Sequence, residues 1–378
     1  MSQKNRPKHI IFIPPDGAFK KQDFSIQRVV KWLHANDTFA VKTTLLYIGS
    51  DISGVESDLF DEIIVARDKQ EIITILRNLE YDVVFHRAWM TCYEFAAELT
   101  KEFSKVVVNI KDWNFASKEV YEFLYPDYKD HEAIEYIFKN AYKILSHFTA
   151  EQSKIWAKEY KTSQEKFVFF PEYCNESSFH SKQISQSEVV HLVYAGNIQP
   201  TARPEEYFPG KAHLRSLKKI TGQAVKIDFV LPENVYDNFF QNKDLYQDFI
   251  FESFVNDNFN IVKGKALNSS VLNKYDYGFF ELEATGVNNM LYKYAITSKF
   301  AFYLEAGLPI LVNSKFVSMS NLVQKYQLGI VFSNNNLDEI DTILDKAKSE
   351  YSNYLDNIKK FRKEFVYKNK YLSEIIDV

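Results

Sequence analysis

The chain has 378 residues, of which 46% are hydrophobic and 25% are charged, so it is long enough for two domains and has the composition of a globular protein. Its formal net charge of -4 argues against a nucleic acid as partner, because proteins that coat nucleic acids carry an excess of Lys and Arg. The two cysteines lie far apart in the sequence, which argues against a disulfide framework and predicts a reducing compartment.

Short apolar runs alternate with helical patterns in the first half of the chain. Val- and Ile-rich runs predict strands, and stretches with apolar residues three or four positions apart predict the helices between them. The predicted strands are residues 9–15, 41–49, 62–67, 81–89, 105–113 and 141–149, and the predicted helices are 22–36, 69–79, 91–103 and 130–140. Strands that are buried on both faces and separated by helices indicate a parallel α/β sheet.

The segment 165–188 ends this alternation, and its polar, serine-rich tail predicts the linker between the domains. The alternation then restarts with a strand that ends in a glycine turn. Its predicted strands are residues 188–200, 226–232, 249–253, 275–282 and 308–313, and its predicted helices are 214–222 and 299–306, followed by a helix-strand pair at 320–333 and helical sequence from 337 to 367. We therefore predict an α/β protein with two Rossmann-like parallel-sheet domains that face a cleft, residues 1–180 and 181–355.

The stretch SKFAFYLEAGLPILVN, residues 298–313, predicts a short helix that runs into a buried strand. Thr297 or Ser298 provides the N-cap, and Lys299 occupies the first turn, where the helix dipole disfavours a positive charge. A bound anion explains a lysine at this position, because the N–H groups of a helix start attract negative charge. Tyr303, four residues after Lys299, is expected on the same helix face. The alternative is a core helix whose lysine extends its ammonium to solvent.

This stretch also resembles a known family. The pattern K-x-x-x-Y-L-x-A-G-L-P-I-L-V, from Lys299 to Val312, resembles the nucleotide-sugar-binding segment of GT-B glycosyltransferases of the group-1 and galactofuranosyltransferase-like kind. Weaker similarities lie at 109–113, 166–176 and 194–198. The resemblance implies a metal-independent hexosyltransferase that needs no cofactor and moves a sugar from a nucleotide-diphosphate sugar, most commonly a UDP-sugar, to a hydroxyl of a glycan acceptor. By resemblance, the setting is bacterial surface polysaccharide or lipid-linked oligosaccharide synthesis.

The second domain then provides the donor site, and the resemblance assigns its residues. Those predicted to bind the nucleotide and its phosphates are Gly196, Asn197, Arg203, Thr297, Ser298, Lys299 and Tyr303. Lys211 is an alternative to Arg203 as the basic residue that follows the glycine turn. Glu281 and Glu283 lie at the carboxyl end of the predicted strand 275–282, so we expect them to contact the donor sugar.

The sequence departs from the family in one respect. Many retaining members carry two glutamates in the pattern E-x7-E upstream of the G-x-P, and those positions hold Tyr294 and Phe302 here. The stereochemical course of the transfer therefore stays open. The missing pair also supports an alternative, a non-catalytic subunit with this fold that binds a partner glycosyltransferase or a glycan. A nucleotide-sugar epimerase is a further alternative, because it uses the same donor without an acceptor.

The first domain is expected to provide acceptor binding and the catalytic base. Asp16, His86 and Asp112 follow or end predicted strands, where a base can reach an acceptor hydroxyl, and each is a candidate catalytic residue. Arg87 and Trp89 lie at the end of the strand 81–89, and Trp89 has a ring that can stack on a sugar. Loop capping or core packing is the alternative role for each of these residues.

The cellular location follows from what the sequence lacks. No apolar run near the N-terminus is long enough for a signal peptide, and no segment approaches the roughly 20 apolar residues of a membrane span, which predicts a cytoplasmic protein. The last segment, 356–378, is basic and aromatic in its first part. The family resemblance implies that this helix crosses back to the first domain, and the alternative is a peripheral contact with the inner face of the membrane. No cluster of Asp, His or Cys has the spacing of a metal site.

Overall fold

The chain divides into two units in the computed structural model, which describes residues 6–18, 25–35, 40–49, 55–111, 113, 118–182, 188–205, 210–264, 269–280 and 293–376. Unit 1 comprises Met1–Pro171 and Tyr367–Val378, and unit 2 comprises Glu172–Val366. The chain therefore leaves unit 1 once, forms unit 2 as a continuous segment, and returns to unit 1 for its last residues.

Unit 1 is built on a parallel sheet in which the described strands follow the order β3-β2-β1-β4-β5-β6-β7. The strands are β1 (Lys8–Ile13), β2 (Val41–Ile48), β3 (Glu62–Ala66), β4 (Val83–Ala88), β5 (Val106–Ile110), β6 (Lys143–Ser146) and β7 (Phe167–Phe169). The helices that alternate with them are α1 (Ser25–His34), α2 (Lys69–Asn78), α3 (Tyr93–Glu102), α4 (Lys118–Leu124), α5 (Asp130–Asn140) and α6 (Ala150–Glu159). The central strands are buried on both faces, which explains why their sequences read as continuous Val and Ile runs.

Unit 2 repeats this architecture with a parallel sheet whose described strands follow the order β10-β9-β8-β11-β12-β13. The strands are β8 (Val190–Ala195), β9 (Val225–Pro232), β10 (Phe259–Gly264), β11 (Tyr277–Phe280), β12 (Ile310–Asn313) and β13 (Gly329–Phe332). The helices are α7 (Gly210–Thr221), α8 (Glu233–Gln241), α9 (Lys243–Val255), α10 (Ser269–Leu272), α11 (Ser298–Glu305), α12 (Val317–Tyr326), α13 (Ile340–Ala347) and α14 (Tyr351–Glu364).

The last helix, α15 (Asn369–Ile376), belongs to unit 1. Just before it, the ring of Tyr367 stacks on Trp32 of α1 with centroids 5.4 Å apart and packs against Phe170 at 5.7 Å. Tyr371 of α15 meets the same Phe170 edge to face at 6.1 Å. The aromatic residues of this segment therefore have packing partners within unit 1.

The predicted α/β class with two parallel-sheet domains is confirmed, but one predicted strand is wrong. Residues 249–253 lie within α9, where Phe249 and Glu252 are buried while Phe251 is exposed. The true neighbouring strand, β10, was not predicted. It ends the order of described strands in its sheet, and Asn260 and Lys263 are exposed, so it lacks the continuous apolar run of a central strand. A short aromatic run does not by itself distinguish a helix from a strand.

Both sheets reverse their strand order beside their first strand. In unit 1 the reversal lies between β1 and β4, and in unit 2 it lies between β8 and β11. In open α/β sheets, ligands bind outside the carboxyl ends of the strands at such a switch point. The loops that follow β1 and β8 are therefore where the topology places a site in each unit. Among the described residues, no helix is both long and apolar enough to cross a membrane.

Candidate functional site

The turn after β8 is shaped by Gly196. Its φ of +134° lies in a region that residues with a side chain rarely adopt, and its N–H donates to the Val230 carbonyl of β9 at 3.1 Å. A Cβ atom at this position would lie 3.2 Å from Nζ of Lys299. The turn therefore needs glycine both for its backbone conformation and for the close approach of the lysine.

The N-terminus of α11 carries this lysine. Thr297 is the N-cap with extended backbone angles, but its side chain makes no capping hydrogen bond and its hydroxyl donates to Sδ of Met319 at 3.9 Å. Ser298 and Lys299 form the first turn and are partly exposed. The positive end of the helix dipole and the ammonium of Lys299 thus lie at the same place, which favours an anion there.

Lys299 rests on Tyr194, the residue that precedes Ala195 at the end of β8. Its Nζ lies 4.5 Å from the centroid of the Tyr194 ring and donates to the Tyr194 hydroxyl at 3.3 Å. That hydroxyl in turn donates to the carbonyl of Asn197 at 3.0 Å. The lysine is therefore connected through one phenol to the backbone of the glycine turn.

The positive charge at this place comes from Lys299 and not from the nearby His213 of α7. His213 is buried and packs edge to face on Tyr194, with centroids 5.0 Å apart. Burial lowers the pKa of His213 to about 3, and the charge of Lys299 acts in the same direction. The imidazole is therefore neutral at pH 7.

The structure corrects the predicted role of Tyr303. Its side chain is fully buried, and its hydroxyl accepts from the Ala195 N–H at 3.0 Å and donates to the Val193 carbonyl at 3.0 Å, with the Phe279 carbonyl at 3.3 Å. A hydroxyl used in this way does not reach a phosphate. Tyr303 instead joins α11 to the carboxyl ends of β8 and β11, and Gly278 of β11 leaves the space that its ring occupies.

Two of the other predicted donor residues, Asn197 and Arg203, have exposed side chains. Asn197 is exposed beside Gly196, so its side chain is accessible to a ligand. Arg203 is also exposed, and its charge lies near Tyr246 of α9, where it opposes the rise that burial causes in the pKa of that phenol. Glu281 and Glu283 lie outside the described residues, so their contact with a donor sugar stays a prediction.

In unit 1 the loop after β1 presents Asp16. Its φ of 54° and ψ of 20° are left-handed, and Gly17 follows with a φ of 76°. The carboxylate is 41% exposed and forms an ion pair with Lys69, the first residue of α2. Asp16 is therefore an accessible carboxylate at the switch point of this sheet, and its role as a base stays a prediction.

His86 is not placed as a catalytic residue. Its ring in β4 is fully buried, and Nδ1 lies 3.2 Å from the carbonyl of Ile13. Burial lowers the pKa of His86 to about 3. A general base must come within hydrogen-bond distance of the acceptor hydroxyl, and an enclosed imidazole does not. The ring also packs edge to face on Phe95 at 5.5 Å, so its role is in the core.

The remaining site residues predicted in unit 1 lie in β4 or just after β4 and β5 in the sequence. Arg87 is buried and donates to Oδ1 of Asn109 at 2.6 Å, so its guanidinium joins two neighbouring strands and is not an open acceptor contact as predicted. Trp89 is partly exposed beyond the end of β4, and its stacking on a sugar stays a prediction. Asp112 lies outside the described residues.

A buried carboxylate that was not predicted orders the loop after β4. Asp130, at the start of α5, accepts from the Thr91 N–H at 2.5 Å, from the Tyr93 N–H at 3.2 Å and from the Tyr121 hydroxyl. Thr91 has a φ of 70°, which a non-glycine residue adopts only when its surroundings hold it. Burial raises the pKa of Asp130. The carboxylate thus fixes the loop that carries Trp89.

One family model matches the C-terminal part of the chain. Residues 256–377 match the family model "Glucosyltransferase 3-like, C-terminal domain", which spans the region from β10 to α15 and includes the Lys299 helix. No curated protein matches the sequence.

Solved structures match nearly the whole chain at low sequence identity. The HepE protein of Anabaena, solved with UDP and glucose, is 12% identical, with 95% of each chain covered and a TM-score of 0.63. An alpha-glucosyltransferase solved with UDP is 11% identical over 99% of this chain and 100% of its own, with a TM-score of 0.56. A putative UDP-N-acetylglucosamine 2-epimerase of Listeria monocytogenes is 10% identical over 93% and 90%, with a TM-score of 0.51.

The chain is a GT-B-fold protein. The family match covers the Lys299 segment, and the solved structures share the fold that its resemblance implied. Within the described part of the chain, no group of three or more His, Cys, Asp and Glu side chains has the arrangement of a metal site.

Three residues of this GT-B protein matter to the site and were missed in the sequence. Tyr194 and Gly278 lie in strands whose apolar sequences predict only a role in the core. Lys69 is the first residue of a helix, where its position predicts no special role. The signal available for Tyr194 was its position two residues before the glycine of the turn. Gly278 had a weaker signal, a glycine inside a predicted strand, which often marks the close approach of another group.

Substituting Gly196 with alanine is expected to weaken nucleotide binding at least tenfold, because the new methyl group pushes the Lys299 ammonium away and the backbone leaves its native φ. Gly49→Ala is the matched control. Gly49 also has a positive φ, +118°, but no atom lies within 4 Å of its Cβ position. Both variants should lose stability, and only Gly196→Ala should lose nucleotide affinity in a calorimetric titration. Equal affinities in the two variants would contradict this role of the turn.

The two buried histidines predict a loss of stability in acid. Each has a folded-state pKa of about 3 against an ordinary value of 6.5, so below pH 6.5 the unfolded chain binds protons that the folded chain does not. This contribution is complete above pH 6.5, and about 1.4 kcal/mol per histidine is lost for each pH unit below it. Urea unfolding at pH 7.0 and 5.5 measures the loss, which should be smaller in His213→Leu and in His86→Leu. An unchanged pH dependence in both variants would show that each imidazole takes up its proton in the folded chain at about the same pH as in the unfolded chain.

Proposed function

We propose that this chain is a glycosyltransferase that transfers a hexosyl group from a UDP-sugar to a hydroxyl of a glycan acceptor, without a bound metal. The observation that carries the proposal is the meeting of Lys299, the N-terminus of α11 and Gly196 at the switch point of unit 2. UDP is the proposed nucleotide because the structures of HepE and of the alpha-glucosyltransferase hold UDP.

The chemistry of the donor half follows from charge. Breaking the glycosidic C–O bond leaves a diphosphate with increasing negative charge, and groups that are already in place stabilise it without reorganisation. The ammonium of Lys299 and the dipole of α11 are such groups, and the absence of a side chain at Gly196 lets the phosphates approach the backbone. In this proposal these groups perform the stabilisation that a divalent cation provides in metal-dependent transferases.

The acceptor half is proposed for unit 1. Asp16 is the proposed base for the acceptor hydroxyl, because it is an exposed carboxylate at the carboxyl end of β1. Asp112 remains a second candidate. In an inverting transfer the base takes the hydroxyl proton while the oxygen attacks the anomeric carbon. The proposed acceptor is a growing surface polysaccharide or a lipid-linked oligosaccharide, which a cytoplasmic enzyme would meet at the inner face of the membrane.

Release of UDP tests the proposal. The protein is incubated with UDP-glucose, UDP-galactose or UDP-N-acetylglucosamine, with and without lipid-linked or free oligosaccharide acceptors, in EDTA and in Mg²⁺. Release of UDP that depends on an acceptor and persists in EDTA is the expected result. Asp16→Asn should abolish transfer while UDP affinity stays the same, and Asp58→Asn, an exposed carboxylate elsewhere in unit 1, is the control.

The alternatives give different results in the same assay. Conversion of one UDP-sugar into another without acceptor would identify an epimerase. This alternative is included because the chain shares its fold with the putative epimerase of Listeria. Binding of UDP without any turnover, or no binding, would favour a non-catalytic subunit. Tyr294 and Phe302 hold the positions of the missing glutamate pair. They are consistent with an epimerase and with a non-catalytic subunit, since Phe302 is buried and neither side chain is acidic.

A further inference from the structure

A tyrosine that is almost wholly buried lies under the lysine of the proposed donor site. Tyr194 is 7% exposed, and its ring is held between His213 at 5.0 Å and Phe229 at 4.9 Å. Lys299 lies over the ring, with Nζ 4.5 Å from its centroid and 3.3 Å from the hydroxyl. The ring therefore has one fixed orientation, and the lysine lies on it.

We propose that Tyr194 is a positioning residue for donor binding, which holds the Lys299 ammonium beside Gly196 where the diphosphate of the donor is bound. This inference rests on the proposed function, because it assigns a partner to the lysine of that same site. Tyr194 itself does not contact the phosphates in this proposal, and it acts through the lysine.

The physical reason is the flexibility of lysine. A free lysine side chain has many rotamers, and binding an anion costs the entropy of selecting one of them. A ring face attracts the ammonium, and the phenol oxygen accepts one of its three N–H bonds, so two contacts restrict it before the ligand arrives.

The phenol also couples the lysine to the turn. Its hydroxyl accepts from Lys299 and donates to the Asn197 carbonyl at 3.0 Å, so the position of the ammonium and the path of the backbone around Gly196 depend on one group. Because His213 beside it is neutral at pH 7, its imidazole does not repel Lys299 from the ring.

A purely structural role makes a different prediction. If Tyr194 only fills the core of unit 2, replacing it changes UDP affinity by the same factor whether or not Lys299 is present. If it acts through Lys299, its replacement has no further effect once the lysine is removed. A double-mutant cycle on UDP binding separates the two, because the coupling between neighbouring residues appears as a failure of additivity.

The experiment measures the UDP dissociation constant by calorimetry for wild type, Tyr194→Phe, Tyr194→Leu, Lys299→Ala and both double variants. Tyr194→Phe keeps the ring and should weaken binding about threefold, and Tyr194→Leu should weaken it about tenfold. In the Lys299→Ala background, both should change affinity less than about twofold. Phe259→Leu is the control, since Phe259 is a fully buried ring of the same core, and it should leave the UDP affinity of the native protein unchanged.

Equal factors in the two backgrounds would overturn the inference and leave the proposed function standing. If wild type binds no nucleotide, both fall together. Tyr194→Phe keeps the packing against His213 and Phe229, so its cycle with Lys299→Ala decides the question even if Tyr194→Leu fails to fold.

Discussion

Replacing Lys299 with alanine is expected to weaken UDP binding about 100-fold and to reduce transfer at least as strongly. The ammonium is the cation that the structure places beside Gly196, and a charge-assisted hydrogen bond to a phosphate is worth roughly 1.5–3 kcal/mol, which corresponds to a factor of about 10 to 150. Since the leaving diphosphate gains charge in the transition state, the effect on kcat/KM should equal or exceed the effect on binding.

Calorimetric titration with UDP, in EDTA and in Mg²⁺, measures this effect. Lys325→Ala is the matched control, because Lys325 of α12 also lies over an aromatic ring of unit 2, 5.0 Å from the centroid of Tyr326. The control should bind UDP like wild type. Wild-type affinity in Lys299→Ala would place the donor phosphates elsewhere, and a requirement for Mg²⁺ would contradict the metal-independent proposal.

Replacing Gly278 with alanine is expected to destabilise unit 2 by about 3 kcal/mol, which lowers its melting temperature by roughly 10 °C. A Cβ atom at this position would lie 2.3 Å from Cγ and Cδ2 of Tyr303. The ring is not free to move aside, because it is fully buried and its hydroxyl is bonded to the backbone at Ala195 and Val193. Displacing it also disturbs the start of the glycine turn, so UDP affinity should fall too.

A second substitution tests the reason for this loss. Tyr303→Leu shortens the opposing side chain, so Gly278→Ala should cost less in the Tyr303→Leu background than in wild type. Differential scanning calorimetry of the four proteins gives the comparison. The same cost in both backgrounds would show that the destabilisation comes from the strand backbone and not from the contact with Tyr303.

The elements of this fold were largely predictable because both sheets are parallel. Strands buried on both faces leave continuous apolar runs, as in Ile10 to Ile13, and helices between them leave a different period. The prediction failed where this condition does not hold. The strand β10 contains exposed polar residues among its apolar ones, so it has no continuous apolar run. The helix α9 exposes Phe251 and Phe254, so its aromatic run at 249–253 has the composition of a strand and not the periodicity of a helix with one buried face.

The candidate site was predictable in its charge and not in its contacts. Sixteen consecutive residues are enough to predict an anion site at Lys299, which lies in the first turn of a helix that is followed by Gly307. The helix dipole and the glycine turn that ends the helix are both local properties of the sequence. The roles of Tyr303 and His86 were not readable in this way. A tyrosine on the helix face of Lys299 and a histidine near the end of a strand both suggest accessible side chains. Only the structure shows that Tyr303 bonds the backbone of β8 and that His86 is enclosed.

The sequence by itself therefore determined the α/β class, the two-domain organisation and the anion-attracting helix start, since each depends on periodicity or on neighbours a few positions away. Only the tertiary structure decided which side chains meet there. Tyr194 and Gly196 lie in one segment of the chain, Gly278 lies in a second and Lys299 lies in a third, and the parallel order of β8, β11 and β12 brings these three segments together. Contacts between residues so far apart in the sequence depend on the order of the strands and on the volumes of the side chains. A local sequence pattern predicts neither of these.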